Sequence, residues 1–267
     1  MNIGIYGAGH LTRSLIRGFE FANVSNQILL YNRTIAKAVA LKNEFTRIQV
    51  VNNLCDIVEP NSFIFVIIPP GAILEFPDNF VTKIKSNNSI LVSCANYITL
   101  DKLNVKYPKL KIIRLLSNIL WQIGSGTILY SFNDEIEQNE KQFFLQLISE
   151  LGDLIEIKNE RDFDRFGKIM TCGPGIFSKL ISMFINDLDI KSDNEKEFVI
   201  RCLLSTLNYS INSKKSFESI IEEVANKGGL TEYAIDELDK QLTGVFNSVF
   251  KKMDEKIVDR REQMMGK

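Results

Sequence analysis

The chain has 267 residues, 45% hydrophobic and 24% charged, with a formal net charge of −1, which supplies a full core and argues against a nucleic-acid partner or an electrostatic membrane anchor. Four cysteines (Cys55, Cys94, Cys172, Cys202) form no C-x-x-C pair and the single histidine is too few for a histidine metal site, so buried thiols, a reducing compartment and no metal are expected. No apolar stretch reaches the roughly 20 residues a membrane helix needs, and the chain starts on a strand pattern rather than a leader, which points to the cytoplasm and to no membrane partner.

Residues 2–6 read as a strand that runs into Gly7-Ala8-Gly9-His10-Leu11, with a helix over 11–22. Strand, glycine turn and helix in this order open a dinucleotide-binding fold. Gly7 takes backbone angles denied to a residue with Cβ, and Gly9 lets the main chain approach a pyrophosphate. The helix start offers unpaired N–H groups and a partial positive charge to that anion, where His10 stands ready as a further donor. Thr12 occupies the third fingerprint position, where glycine or alanine is usual. The competing reading is a tight turn in an α/β domain without cofactor.

A second strand at 27–31 ends in Asn32-Arg33-Thr34, followed by a helix over 35–45 and a short strand at 48–51. No acid stands there to hold a ribose 2′-hydroxyl or to repel a 2′-phosphate. Arg33 offers a cationic fork, with Asn32 and Thr34 as neutral donors, which favours NADP over NAD. A helix cap with a solvated arginine is the plainer alternative. Residues 63–68 are apolar at every position, as in a parallel strand covered on both faces, and Pro69-Pro70 ends it. A helix over 73–84 and a buried strand at 89–94 follow. Further strands are expected at 111–116 and 127–131, then an amphipathic helix over 135–151 stopped by Gly152, and a last strand at 154–157.

After residue 158 helical periodicity takes over. Residues 161–170 lead through Gly173-Pro174-Gly175 into 176–188, and 195–210, 216–225 and 231–258 complete the chain. The predicted fold class is α/β: a Rossmann-like dinucleotide-binding domain over 1–158, then an all-helical domain over 159–267. The apolar surplus of 176–188 suits burial against a second subunit.

Several segments together resemble the pyrroline-5-carboxylate reductase family, in order along nearly the whole chain. Gly7-Ala8-Gly9-His10-Leu11 resembles its Gly-Ala-Gly-Asn-Met, and Asn32-Arg33-Thr34 its NADP-binding turn. Val66-Ile67-Ile68-Pro69-Pro70 resembles Ala-Val-Lys-Pro-Gln, and Ser93-Cys94-Ala95-Asn96-Tyr97-Ile98-Thr99 resembles Ser-Ile-Ala-Ala-Gly-Ile-Thr. Arg114-Leu115-Leu116-Ser117-Asn118 with Gly124-Ser125-Gly126 resembles Arg-Val-Met-Pro-Asn with Gly-Ala-Gly. Cys172-Gly173-Pro174-Gly175 is similar to Ser-Gly-Pro-Ala, and the segment from Val224 through Gly228-Gly229 to Thr231 is similar to Val-Thr-Ser-Pro-Gly-Gly-Thr-Thr.

The resemblance implies NADPH-dependent reduction of a cyclic imine carboxylate, by default pyrroline-5-carboxylate to proline, in a homodimer or higher homo-oligomer whose C-terminal helices interleave. It implies cofactor contacts from Gly7, Gly9, His10, Leu11, Asn32, Arg33, Thr34, Pro69 and Ala95. It sets Asn118 near the reacting ring, and seats the substrate carboxylate on Asn226, Gly228, Gly229 and Thr231. A helix cap at Thr231, with Glu232 and Asp236 favouring the dipole, is the structural alternative for that turn.

Departures gather at the implied substrate site. Gly167 stands where the family has a threonine for the reacting nitrogen, leaving Thr171 as substitute; Leu230 replaces another threonine, and bulky Trp121 and Gln122 precede Gly124. These keep two alternatives open: an imine reductase acting on another biosynthetic intermediate, and a cofactor-binding accessory or regulatory protein with little turnover.

Overall fold

The computed structural model describes residues 2–265, and its strands form one sheet. The strands are β1 (Ile3–Tyr6), β2 (Ile28–Tyr31), β3 (Ile48–Val50), β4 (Phe63–Val66), β5 (Ile90–Ser93), β6 (Ile112–Leu116), β7 (Gly126–Phe132) and β8 (Gly152–Glu156). Their order is β3-β2-β1-β4-β5-β6-β7-β8, parallel throughout except for the antiparallel β6–β7 pair. Because β2 and β4 both flank β1, the chain reverses its direction of travel there, and the crevice above that point is where open α/β sheets take ligands.

Strand alternation builds a core on each face. From β4, Phe63 and Phe65 join one cluster with Ile3, Ile5 and Phe19, while Ile64 and Val66 join the other with Ile57, Ile73 and Phe80. The first cluster is covered by α1 (His10–Phe21), α2 (Ile35–Glu44) and α5 (Gln138–Ile148), and the second by α3 (Asp78–Ser86) and α4 (Leu100–Lys106). Trp121 is core as well: its indole N–H donates to Ser14 Oγ of α1 at 2.7 Å, so its bulk is spent on packing.

Several expected elements are corrected. The helix expected over 73–84 is a 3-10 turn, Pro70–Leu74, then α3, because Pro77 interrupts the first and enters the second as its N-cap. Helix α4, capped by Thr99 Oγ1 accepting from the Lys102 N–H, lies in a stretch read as connection. Residues 231–258 are two helices, α9 (Leu230–Leu242) and α10 (Val245–Met265), split at Gly244, whose φ of +79° suits glycine.

The largest correction concerns Gly173-Pro174-Gly175, which lies inside a continuous helix, α6 (Glu160–Asp187). A proline there leaves the carbonyl four residues back without its N–H partner. That carbonyl belongs to Met170, and Asn118 Nδ2 donates to it at 2.7 Å. Because the two apolar segments merge, α6 is long and apolar enough by composition to cross a membrane. Its first half instead packs on the sheet, with Phe163 and Met170 beside Leu116 and Leu129.

The chain forms two compact units, Met1–Pro174 with Arg260–Lys267, and Gly175–Asp259. The change from sheet to helix falls earlier, between the end of β8 and the start of α6. The second unit holds the rest of α6, α7 (Asp193–Ser213), α8 (Phe217–Val224), α9 and most of α10. Its buried hydrophobic residues are Val199 and Ile220, 8% and 9% exposed, and none of α9 is buried.

Candidate functional site

The carboxyl ends of β1, β2, β4 and β5 bring together four of the sequence segments: Gly7–Leu11, Asn32–Thr34, Pro69 and Ala95. Gly7 is held by geometry. Its φ is +117°, its N–H donates to Tyr31 O at 2.9 Å, and a Cβ there would lie 2.0 Å from Ile67 O. Gly9 is different, because a Cβ added to it would meet no protein atom within 4 Å. Its smallness therefore leaves open space at the start of α1, which has no acid in its first turn and no side-chain cap. The His10 and Leu11 N–H groups precede the first helical bond, Arg13 N–H to Gly9 O, so they face this space as unpaired donors. His10 is exposed beside them.

Thr12, the departure from the fingerprint, is fully buried and donates through Oγ1 to Gly7 O at 2.9 Å. The hydroxyl ties the helix to the turn. Asn32 does the same from the next strand: Oδ1 accepts from the Ala8 N–H at 3.1 Å, and Nδ2 donates to Thr34 O at 2.8 Å. Asn32 thus shapes the glycine turn. Thr34 is the N-cap of α2 by position but makes no side-chain cap bond.

Arg33 is exposed and lines a cavity of about 460 Å³ with Tyr6, Tyr31, Asn53, Leu54 and Phe76. The Tyr6 ring lies 5.3 Å from Tyr31 and 6.3 Å from Phe76, an aromatic wall beside a guanidinium. Burial, then Tyr31, push the Tyr6 phenol up, and the Arg33 charge pulls against them. Such a cavity fits an aromatic base with an anion at its rim. Sequence reasoning missed Tyr6, Tyr31 and Asn53; the aromatic ends of the two paired strands were the available signal. Pro69 is exposed as N-cap of the Pro70–Leu74 turn, whereas Ala95 is 1% exposed and belongs to the core, so only its backbone borders the cleft.

Asn118 is buried, and its amide is engaged with backbone at both ends, on Met170 O and on the Leu120 N–H at 2.9 Å. Both polar ends of the side chain are thus committed to backbone groups. Thr171, half-buried on α6, donates through Oγ1 to Gly167 O at 2.6 Å. With that proton committed, its oxygen is left to accept. Gly167 has Leu116 Cδ1 at 3.3 Å from where a Cβ would stand, a tight fit for a side chain.

In the second unit, Asn226, Gly228, Gly229 and Thr231 form the turn into α9. Gly229, not Thr231, is the N-cap, its N–H donating to Asn226 O at 2.8 Å. The Gly228 N–H, at φ +74°, donates to Glu232 Oε2 at 2.6 Å. The sequence reading set Glu232 at the dipole; the structure gives its carboxylate a specific donor.

Comparison with known proteins fits this geometry. The family described as "NADP oxidoreductase coenzyme F420-dependent" matches residues 2–97, the stretch carrying β1 through β5. The chain is 26% identical over 264 residues to ComE operon protein 4 of Bacillus subtilis, covering 94% of this chain and 93% of that one. It is 24% identical over 251 residues to pyrroline-5-carboxylate reductase of Methanobrevibacter smithii, covering 90% and 98%. In fold it resembles Plasmodium falciparum pyrroline carboxylate reductase with NADP bound, at TM-score 0.82 and 19% identity over 99% of this chain and 98% of that one. The Streptococcus pyogenes 1-pyrroline-5-carboxylate reductase gives TM-score 0.81 and 20% identity, covering 98% of each chain. With a sheet, a glycine turn and a helical C-terminal region over the same span, the chain is similar nearly from end to end to pyrroline-5-carboxylate reductases and shares their fold, and its first 97 residues carry the match to an NADP oxidoreductase family.

Proposed function

We propose that the chain binds NADPH in the cleft above β1 and β4 and reduces the carbon–nitrogen double bond of a cyclic imine carboxylate, with pyrroline-5-carboxylate the first substrate to test. The observation that carries this is the open space at Gly9, faced by unpaired N–H groups and continued past β2 by Arg33 in a segment, Asn32–Thr34, that contains no acid. NADPH supplies a hydride when bound. The main chain from Gly9 to Leu11 holds the pyrophosphate, and Arg33 takes the 2′-phosphate with its fork. Tyr6 and Tyr31 flank the base.

Thr171 acts as an acceptor, because its proton is already given to Gly167 O. A protonated imine has an N–H to donate and a more electrophilic carbon, so Thr171 favours the reactive form of substrate. The Leu230 and Thr231 N–H groups at the start of α9 hold the carboxylate, and catalysis is mostly positioning. The active unit is a homodimer: the exposed apolar side chains of Phe184, Leu204 and Leu207 in a unit with so little core need a second copy of the chain to cover them. The protein works in the cytoplasm.

NADPH consumption with pyrroline-5-carboxylate tests this reading, with proline as product. Arg33→Ala should weaken NADPH binding by about tenfold or more and NADH binding far less; equal losses remove Arg33 from the 2′-phosphate site. A second reading rests on Glu232, whose carboxylate already occupies the Gly228 N–H that a substrate carboxylate would use. On that reading the protein binds cofactor as an accessory protein with little turnover, or reduces an imine without a carboxylate. NADPH binding with no turnover on pyrroline-5-carboxylate, in the native chain and in Glu232→Gln alike, favours it.

A further inference from the structure

Lys102, Lys106 and Arg260 line a second cavity, of about 1240 Å³, whose walls also include Pro69, Val105 and the carboxylate of Glu75. The cavity belongs to the first compact unit. Lys106 stands in the last turn of α4, where the helix dipole favours a cation. Lys102 has no such reason for its place. It lies in the first turn of α4, at the positive end of the dipole and one helical turn from Lys106, so both neighbours repel it. Arg260 adds a third positive charge, and none of the three has an ion-pair partner among the described residues, whereas adjacent Arg261 is paired with Asp164. Three cations around one hollow, opposed by one carboxylate in a chain of net charge −1, leave an unmet demand for an anion.

We propose that this cavity binds an organic phosphate with at least two anionic groups. The guanidinium offers a bidentate fork and the ammonium groups offer point charges. Leu74 and Val105 cover an apolar moiety, and the volume accepts a ligand of nucleotide size. The site is separate from the cofactor cavity but shares a wall with it, since Ala72 and Glu75 line both.

Calorimetric titration of the full chain, saturated with NADPH, tests the proposal with adenosine triphosphate as the probe and inorganic tripolyphosphate beside it. One adenosine triphosphate should bind per chain, more weakly as salt rises, and Lys102→Ala/Arg260→Ala should lose about tenfold or more in affinity while NADPH affinity stays within about twofold. No binding at about 10 mM probe, or equal binding by the variant, overturns the site. Binding that NADPH abolishes also overturns it, because the probe then sits in the cofactor cleft. Tripolyphosphate binding as tightly as the nucleotide overturns the organic ligand class. Should NADPH itself fail to bind, the titration is made on the free chain, and dependence on Lys102 and Arg260 decides this proposal apart from the cofactor reading.

Discussion

Two glycines of one turn have opposite reasons to be glycine. Gly7 is required by the fold, since a Cβ there would strike Ile67 O from a positive φ. Gly7→Ala should cost about 1–3 kcal/mol or more in urea unfolding. Gly9 has no protein neighbour to strike, so Gly9→Ala should leave the melting temperature within about 1 °C of the native value while NADPH binding falls about tenfold. A large drop in melting temperature for Gly9→Ala would mean the glycine serves the fold instead. Asn118 makes a similar point. Asn118→Ala strands Met170 O and the Leu120 N–H, at about 1–3 kcal/mol. In a Pro174→Ala background the restored N–H takes the Met170 carbonyl, so the same change should cost less; identical losses in both backgrounds would break the proposed link.

Helix α6 is the element on which much of the structure turns. At its start Glu160 pairs with Arg114 of β6, a guanidinium that is 1% exposed and stacked 4.2 Å over the Phe163 ring. Asp164, one turn on, holds Arg261 of α10 through both guanidinium nitrogens. Burial pushes Arg114 down to about 10, with Asp164 drawing it back up, so it is a cation at neutral pH and needs its acid. Glu160→Ala should therefore cost about 2 kcal/mol or more, and Arg114→Met with Glu160→Met should recover most of it. A double variant no more stable than Glu160→Ala would show that the pair contributes through packing alone. The Asn118 amide explains why a Gly-Pro-Gly segment reads as a break in sequence yet sits inside a helix: a side chain from the loop after β6 meets the carbonyl that the proline leaves free.

The second compact unit has too little core to stand alone in water. Val199 and Ile220 are its buried hydrophobics, while Phe184, Leu203 and Leu204 lie in the open. Sedimentation at about 10 μM should give a dimer or larger assembly, and Leu204→Asp with Phe184→Asp should shift it to monomer while the sheet keeps its circular dichroism. A native chain that sediments as a monomer would refute the dimer.

Local periodicity and turn chemistry were enough to predict the parallel strands, the glycine turn, the acid-free end of β2 and the change to helix after β8. Those features depend on neighbours a few residues apart, and side-chain alternation or a glycine records them directly. Other features were settled only when distant segments met. Asn32 became a tie to Ala8, and Asn118 a substitute partner for a proline 56 positions later in the chain. The basic hollow joins α4 to the end of α10, and Trp121, bulky in sequence, vanished into packing against Ser14. Hydrogen bonds and cavities are pairwise facts between parts of the chain that sequence keeps apart, so folding alone decides them.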